Sequence, residues 1–250
     1  MLKIVSFNLR CVWDGDDVNC FLNRAAGILQ KISEEKPDVI GFQEVLPHVA
    51  LWLKENLKDY YVVGCPRCDD LTGEQVAIAF KPDKFNLMKM DTFWLSPTPY
   101  APGSRYPEQS ICPRTCTEVV LQELSSGKIL RMMNTHLDHE GSLARMLGAG
   151  QILETMDAAH FFPDAPIILV GDMNAEPDSP EMQLIASRMQ NLTEGIGITY
   201  HGYMGANQCS IDYIFIKGAI TGTDVKKWED TRDGLYLSDH FPISAELTLL

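Results

Sequence analysis

Apolar and polar residues follow changing periods along the chain, and each period predicts a type of element. Residues 2–9 (LKIVSFNL) and 38–45 (DVIGFQEV) are largely apolar runs of strand length, and residues 241–250 alternate apolar and polar positions. Residues 20–35 carry apolar side chains at helical spacing, and Pro37 ends that helix. The chain therefore begins with strand, helix and strand, and it finishes on a strand.

The same patterns predict the remaining elements. Helices are expected over 47–57, 140–160 and 179–189, with Ser179 as a suitable N-cap for the last. Further strands are expected at 60–64, 76–81, 85–94, 115–124, 128–136, 165–174 and 210–217. Because helices lie between strands in both halves, the pattern predicts a single layered α/β domain over residues 1–250, with its sheets in the middle.

The composition is that of a globular protein able to bury a large core, with 250 residues of which 45% are hydrophobic. No apolar run approaches the roughly 20 residues of a membrane span. Residues 1–17 contain no signal-peptide core, so we expect a cytoplasmic protein whose seven cysteines stay reduced. Cys65 and Cys68 have the spacing of half a zinc site or a redox pair, but without a matching second pair a structural role is favoured.

The net charge of −13 argues against a protein that grips duplex nucleic acid through a broad basic surface. It leaves room for a local basic cleft. We therefore favour a small molecule or short nucleic acid as substrate, and we expect neither a membrane nor an obligate protein partner.

Polar residues stand at the ends of several predicted strands, where a solvated turn is the ordinary interpretation of each one alone. Two of them do not suit a turn. Glu44 follows an apolar run directly, and Asp212 is flanked by Ile211 and Tyr213. A carboxylate in such surroundings needs a cation, a metal or a histidine as partner. The full set comprises Asn8, Glu44, His136, Asp172, Asn174, Asp212, Asp239 and His240.

The carboxylates of this set suit metal-assisted attack of water on a phosphoester. Glu44 and Asp239 offer hard oxygen ligands, which Mg²⁺ or Mn²⁺ prefers. Asp172 is suited to orienting or deprotonating a water molecule.

The histidines and amides suit the other side of the same reaction. Asp212 beside His240 would form a carboxylate–imidazole pair that favours the protonated ring. His136 is suited to contacting a phosphate, and the amides of Asn8 and Asn174 can position phosphate oxygens without adding charge.

Six motifs, SFN, FQE, NTHLD, GDMNAEPDS, IDYIF and SDHFP, occur in this order between residues 6 and 242. Together they resemble the endonuclease/exonuclease/phosphatase superfamily, nearest to its nocturnin/deadenylase-like branch and the uncharacterised bacterial members of that branch. The resemblance implies a DNase I-like fold, a four-layer α/β/β/α sandwich with two central mixed β-sheets flanked by helices. It also implies a Mg²⁺-dependent phosphoesterase. Met173, where phenylalanine is common, is a departure that leaves the catalytic positions untouched.

The resemblance also implies a role for each residue. The metal ligands that it implies are Glu44, Asp239 and Asn8. The catalytic residues that it implies are Asp172, His240, His136, Asp212 and Asn174. The residues that it places in contact with the substrate phosphate are Asn8 and Asn174.

Two arginines and two other functions remain open. Arg114 and Arg145 are candidates for binding a phosphate, with a surface salt bridge as the equal alternative. The preferred hypothesis is hydrolysis of a short RNA end, a nucleotide or another small phosphoester. The alternatives are a non-catalytic phosphate- or nucleic-acid-binding protein that retains the fold, and a nuclease acting on polymeric nucleic acid.

Overall fold

Fourteen strands and four α-helices make up the part of the chain that the computed structural model describes, residues 1–12, 14–158 and 161–250. The helices are α1 (Phe21–Glu35), α2 (Pro47–Asn56), α3 (Ser142–Asp157) and α4 (Pro180–Ala186), and a 3₁₀ segment covers Asp14–Asn19. The strands are β1 (Leu2–Asn8), β2 (Val39–Val45), β3 (Tyr61–Val63), β4 (Gln75–Phe80), β5 (Phe85–Trp94), β6 (Thr115–Glu123), β7 (Ile129–His136), β8 (Ile167–Asp172), β9 (Gln190–Asn191), β10 (Asp212–Lys217), β11 (Ile220–Lys227), β12 (Thr231–Arg232), β13 (Leu235–Tyr236) and β14 (Ile243–Leu249).

Twelve of these strands form two six-stranded sheets. The first has the order β11-β14-β1-β2-β4-β3 and the second the order β5-β6-β7-β8-β10-β9, while β12 pairs with β13 alone. Both sheets are mixed, because β1 runs parallel to β2 and β7 runs parallel to β8, whereas the other neighbours are antiparallel. In the first sheet, the carboxyl ends of β1 and β2 therefore lie at the same edge as the amino end of β14. In the second sheet, the carboxyl ends of β7 and β8 lie at the same edge as the amino end of β10.

Three hydrophobic cores separate four layers. One lies between the sheets and contains Ile4 of β1 and Val170 of β8. The second joins α1 and α2 to the first sheet, and the third joins α3 and α4 to the second sheet. This is the α/β/β/α sandwich that the sequence predicted, with two mixed sheets inside and helices outside.

The alternation along the strands decides which side chains meet between the sheets. In β1, Leu2 and Ile4 enter the inter-sheet core, whereas Val5 and Phe7 face the helices. Successive side chains of a strand point to opposite faces, so Asn8 lies on the inter-sheet face with Ile4. Both faces are buried, which explains why the strand is an almost continuous apolar run in sequence.

A layer of polar side chains closes the inter-sheet core at one end. Asn134 of β7 donates hydrogen bonds from Nδ2 to the carbonyl oxygens of Phe42 and Ala77, each at 2.8 Å, and thereby links the two sheets. Its Oδ1 accepts a hydrogen bond from Nε2 of Gln43 at 2.7 Å. Gly41 leaves the space for this approach, since a Cβ there would lie 2.5 Å from Val170.

The predicted helices and all the predicted strands are present, with shorter ends in places. The helix expected over 140–160 begins at Ser142 and ends at Asp157, and residues 159–160 of that prediction lie outside the described residues. The strand β11 was missed, because it is an edge strand with a polar sequence and mostly exposed or half-buried positions. Within the described ranges, none of the helices is long and apolar enough to cross a membrane.

Candidate active site

The inter-sheet core continues into a cluster of polar side chains at one edge of both sheets. His136, Asp172 and Asp212 occupy neighbouring register positions on β7, β8 and β10, since Asp172 pairs with His136 on one side and with Asp212 on the other. Each of the three side chains lies on the inter-sheet face of its strand. This is because Met132, Val170 and Ile214, two or four positions away on the same strands, belong to the inter-sheet core. The sheet geometry therefore brings together three residues that lie far apart in sequence.

Asn8 joins the two sheets at this edge. Its Nδ2 group donates hydrogen bonds to Oε1 of Glu44 at 3.0 Å and to Oδ2 of Asp172 at 2.9 Å. Its Oδ1 accepts a hydrogen bond from the backbone N–H of Arg10 at 2.9 Å. Asn8 thus positions two carboxylates through its nitrogen, and its sequence-based assignment as a metal ligand stays a prediction.

Glu44 is held in an uncommon backbone conformation. Its φ is 61°, and the pairing of β2 with β4 shifts register between Phe42 and Val45, as at a β-bulge. Its Oε2 accepts a hydrogen bond from the backbone N–H of Cys11 at 2.6 Å. Burial alone would raise the pKa of Glu44, but the hydrogen bonds from Asn8 and Cys11 and the charges of His240 and Arg10 lower it. Glu44 is therefore kept ionised and aimed into the cluster.

Asp212 and His240 form a buried carboxylate–imidazole pair. Oδ2 of Asp212 lies 2.8 Å from Nδ1 of His240, and Nε2 on the other side of the ring lies 3.6 Å from Oδ2 of Asp172. Burial by itself lowers the pKa of His240, but the charges of Asp212 and Asp172 outweigh it and raise the pKa to about 10. The ring is therefore a cation at neutral pH.

Asp172 lies at the centre of the cluster. Its Oδ2 is 3.4 Å from Nε2 of His136, and its Oδ1 accepts a hydrogen bond from the backbone N–H of Asn174 at 2.9 Å. Burial, with the nearby charges of Asp212 and Glu44, raises the pKa of Asp172 to about 7 although His240 opposes the shift. A carboxylate with this pKa can accept a proton at neutral pH.

His136 is suited to remain a neutral imidazole. Burial, followed by the positive charges of Arg114 and Arg67, holds the pKa of His136 well below its ordinary value. Its Nδ1 atom has no hydrogen-bond partner among the described residues. The ring can therefore offer a polar atom to a ligand in the cleft.

Asn174 and Asp239 complete the predicted set. Asn174 has a φ of 47°, and its Nδ2 group donates a hydrogen bond to the carbonyl oxygen of Leu137 at 3.0 Å. Oδ2 of Asp239 lies 3.7 Å from Nε of Arg10. Burial and then the charge of Glu44 raise the pKa of Asp239 despite the neighbouring cations.

The donor set fits a divalent cation. Ligand atoms of Glu44, His136 and Asp172 all lie within 4.8 Å of one another. Burial, with the nearby charge of Glu44, raises the pKa of both Asp172 and Asp239, so a bound cation would stabilise their ionised forms. Mg²⁺ and Mn²⁺ prefer oxygen ligands of this kind.

The cleft that these residues line has a volume of about 510 Å³. Sequence reasoning predicted only some of the residues that line it. The lining also contains residues that were not predicted, namely Arg10, Arg67, Glu74, Glu176 and Tyr200. Arg10 follows Asn8 by two residues, and Glu74 directly precedes β4, so both had a position next to a predicted strand end. Arg67 and Tyr200 lie in loops whose path the sequence pattern does not specify.

The two arginines predicted to bind phosphate have different surroundings. Arg114 lines the cleft and is 4% exposed. Arg145 instead pairs through Nε with Glu181 of α4 and donates from Nη1 to the carbonyl oxygen of Asp138 at 3.1 Å. Arg114 therefore lies in the predicted site. Arg145 instead lies in an ion pair with Glu181 and contacts the loop that carries Asp138.

Comparisons with known proteins agree with this geometry. The model of the endonuclease/exonuclease/phosphatase family matches residues 5–240. A solved endonuclease/exonuclease/phosphatase from Bacteroides vulgatus is 27% identical with a TM-score of 0.93, covering 100% of this chain and 99% of the other. A mannosyl-6-phosphatase from Bacteroides thetaiotaomicron is 26% identical with a TM-score of 0.90, covering 99% of this chain and 100% of the other.

A more distant structure shares the fold. The catalytic domain of human nocturnin with bound sulfate is 18% identical with a TM-score of 0.80, covering 100% of this chain and 93% of the other. No curated protein matches the sequence. The resemblance predicted from the six motifs is confirmed by the family match and by these structures.

Proposed function

The chain belongs to the endonuclease/exonuclease/phosphatase family, and we propose on that premise that it is a metal-dependent phosphoesterase acting on a small or short phosphoester. The observation that carries the proposal is the buried network centred on Asp172. That carboxylate lies against Asn8, His136 and His240, while Asp212 holds His240 from behind.

Glu44 would hold the cation, with Asp239 beside it as the sequence predicts. A Mg²⁺ or Mn²⁺ ion bound there would neutralise charge on the phosphoryl oxygens and favour attack at phosphorus. Glu44 is suited to this role because its hydrogen bonds from Asn8 and Cys11 keep it ionised and fixed in direction.

The chain's own residues account for the proton transfers and for part of the charge stabilisation. Asp172 takes a proton from the attacking water, whose oxygen forms a bond to phosphorus as the ester P–O bond breaks. The leaving oxygen takes up a proton from solvent to become a hydroxyl group, and Asp172 returns its proton to solvent before the next turnover. His240, kept cationic by Asp212, and His136 stabilise the negative charge that develops on the phosphoryl oxygens. Asn8 and Asn174 hold the carboxylate of Asp172 in place.

A small substrate is favoured over a polymer. The net charge of −13 opposes a long polyanion, and the basic side chains that meet the cleft, including Arg10, Arg67 and Arg114, form a local patch. The similarity to a mannosyl-6-phosphatase supports a phosphomonoester of a small molecule. We propose a cytoplasmic enzyme without an obligate protein partner, in accordance with seven free cysteines.

A hydrolysis screen with matched variants tests the proposed function. The purified protein, supplied with Mg²⁺ or Mn²⁺, is assayed for release of product from short RNA, dinucleotides, nucleotides, sugar phosphates and p-nitrophenyl phosphate. We expect hydrolysis of at least one of them and a loss on the order of 10²-fold in His240→Ala. His48→Ala changes an exposed histidine of α2 and should keep the wild-type rate. Metal binding without hydrolysis of any ester would instead favour the non-catalytic binding protein.

A further inference from the structure

An arginine–carboxylate pair lies beside the catalytic residues without a part in the mechanism above. Nη1 of Arg67 is 2.9 Å from Oε2 of Glu74, and the two side chains are 12% and 17% exposed. Both line the same cleft as Asp172 and His240. Because the two charges compensate each other and both residues line the cleft, the pair can bind a neutral polar ligand there.

The backbone that carries this pair is held in place. The N–H of Arg67 donates to the carbonyl oxygen of Glu74 at 3.0 Å, and the carbonyl oxygen of Arg67 accepts from Nε1 of Trp94 at 2.6 Å. The N–H of Cys68 donates to the carbonyl oxygen of Thr72 at 3.1 Å. A pair fixed in this way loses little conformational freedom when a ligand binds, which is the requirement for a specificity site.

The buried guanidinium of Arg114, next to the pair, is only partly hydrogen-bonded within the described residues. Nε and Nη1 of Arg114 have no hydrogen-bond partner among the described residues, although Asp138 lies 3.5 Å from Nε. Its Nη2 atom lies 2.8 Å from Nδ1 of His139. Arg114 lines a crevice together with Arg67, Glu74 and His136. The crevice has a volume of about 10 Å³, room for one water molecule, so these two donors of Arg114 are enclosed and fix the base of the cleft beneath Arg67 and Glu74 without opening into it.

The described lining of the cleft fits a polyhydroxylated group better than a base or an acyl chain. A base needs an aromatic face, and the ring of Tyr200 lies against His240 with centroids 4.9 Å apart. Phe93 and Trp94 are 3% and 5% exposed and belong to the core beneath. A carboxylate that accepts from hydroxyls, beside guanidinium groups that donate to them, is the combination that suits neighbouring hydroxyls of a sugar.

We propose that Arg67 and Glu74 form a hydroxyl-binding subsite that makes the enzyme selective for sugar phosphomonoesters. This inference rests on the proposed function, since the phosphate of the same molecule must reach Asp172. Glu74 and Arg67 bind the sugar ring and take no part in the proton transfers.

The test compares substrates with and without sugar hydroxyls in one set of variants. Wild type and Glu74→Gln are assayed with a set of hexose 6-phosphates and with p-nitrophenyl phosphate, which carries the phosphate alone. Glu74→Gln should lower kcat/KM for the best hexose phosphate by about 10- to 100-fold, mainly through KM, and leave p-nitrophenyl phosphate within about twofold. Glu55→Gln, an exposed position on α2, is the matched control.

Other outcomes overturn the subsite. An equal loss on both kinds of substrate would assign Glu74 to the metal or to catalysis, and an unchanged kcat/KM for the hexose phosphates would remove it from recognition. Arg67→Lys keeps the charge but not the geometry and should show the same selective loss, so the subsite stays testable if Glu74→Gln does not fold. Hydrolysis of p-nitrophenyl phosphate by wild type separates failure of the subsite from failure of the proposed function.

Discussion

In the proposed mechanism, Asp212 acts on the substrate only through His240. Its Oδ2 atom lies 2.8 Å from Nδ1 of the ring, and the pair is buried among β10 and the segment before β14. A neighbouring carboxylate fixes the orientation of an imidazole and stabilises its charged form. Asp212 is therefore a positioning residue, whose loss should affect the rate more than substrate binding.

Replacing Asp212 with asparagine tests this role. Asp212→Asn keeps the size of the side chain but removes the charge that holds His240 protonated. We expect kcat to fall by about 10²-fold or more with KM little changed. Steady-state kinetics on the best substrate of the screen measure this, and a wild-type kcat would contradict the role. Asp178→Asn, an exposed residue before α4, is the control.

His201 makes stability depend on pH. The ring is fully buried, stacks on Phe241 with centroids 4.1 Å apart, and has no hydrogen-bond partner for either nitrogen among the described residues. Burial, followed by the charge of His240, lowers the pKa of His201 to about 4, whereas in the unfolded chain it is about 6.5. The unfolded state therefore binds this proton first as the pH falls.

Protonation of His201 therefore lowers the free energy of unfolding as the pH falls. The contribution of neutral His201 is fully present above about pH 6.5 and is lost progressively between about pH 6.5 and 4. His201→Phe keeps an aromatic ring on Phe241 but cannot titrate. We expect its free energy of unfolding to fall less steeply over this pH range than that of wild type, as measured by urea denaturation at several pH values. Equal slopes in the two proteins would contradict the assignment.

At the scale of the elements, the pairing of β7 with β8 sets the distance between His136 and Asp172. Gly171 precedes Asp172 with a φ of +155°, and a Cβ there would lie 2.1 Å from the carbonyl oxygen of Thr135. The contact is with backbone of the neighbouring strand, so a side chain cannot move out of the way. Glycine is therefore required for the close approach of the two strands.

Alanine at Gly171 should separate these strands. We expect Gly171→Ala to lower the free energy of unfolding by about 3 kcal/mol, the upper part of the range for overpacking. Gly150→Ala in α3 is the matched control, because among the described residues no atom outside the backbone of its own helix lies within 4 Å of a Cβ there. It should leave stability unchanged or raise it by up to about 1 kcal/mol. Chemical denaturation measures both, and equal stabilities would contradict the account.

The elements that sequence predicted and those that it missed differ in their burial. β1 and β8 lie inside the sandwich, and their apolar runs identified them. β11 pairs only with β14 at the edge of its sheet, and its residues include Thr221, Gly222 and Asp224. Packing against a core leaves a periodic pattern in sequence, whereas edge pairing through the backbone leaves almost none.

At the scale of the whole molecule, the polar cluster lies where both sheets reach the same edge of the sandwich. Residues at strand ends, such as Asn8 and Asp172, could be predicted because a polar side chain directly after an apolar run stands out. Residues on loops, such as Arg67, could not, because their place in the cleft depends on the path of residues 64–74 over the sheet edge. Family motifs identified the family and its fold, whereas the residues around the proposed substrate could be named only from the structure.

The distribution of charge predicts how substrate binding by the proposed enzyme responds to salt. The protein carries −13 overall, and its basic cleft residues would meet one phosphate group of a small ester. We expect KM for the best small substrate to rise less than about tenfold between 50 and 200 mM salt, whereas a polymer bound through six to ten phosphates would lose about 10³-fold or more in affinity. A loss of the latter size would favour the polymeric nuclease.

The central claim is that the buried cluster is a metal-dependent hydrolytic centre with Glu44 as its main cation ligand. Its most direct test is the initial rate of p-nitrophenyl phosphate hydrolysis by wild type, Glu44→Gln and Glu55→Gln, each with Mg²⁺ and with excess chelator. The account predicts that wild type and Glu55→Gln are active only with the metal, and that Glu44→Gln is at least about 10²-fold slower. A Glu44→Gln rate equal to that of wild type, or full activity in chelator, would contradict it.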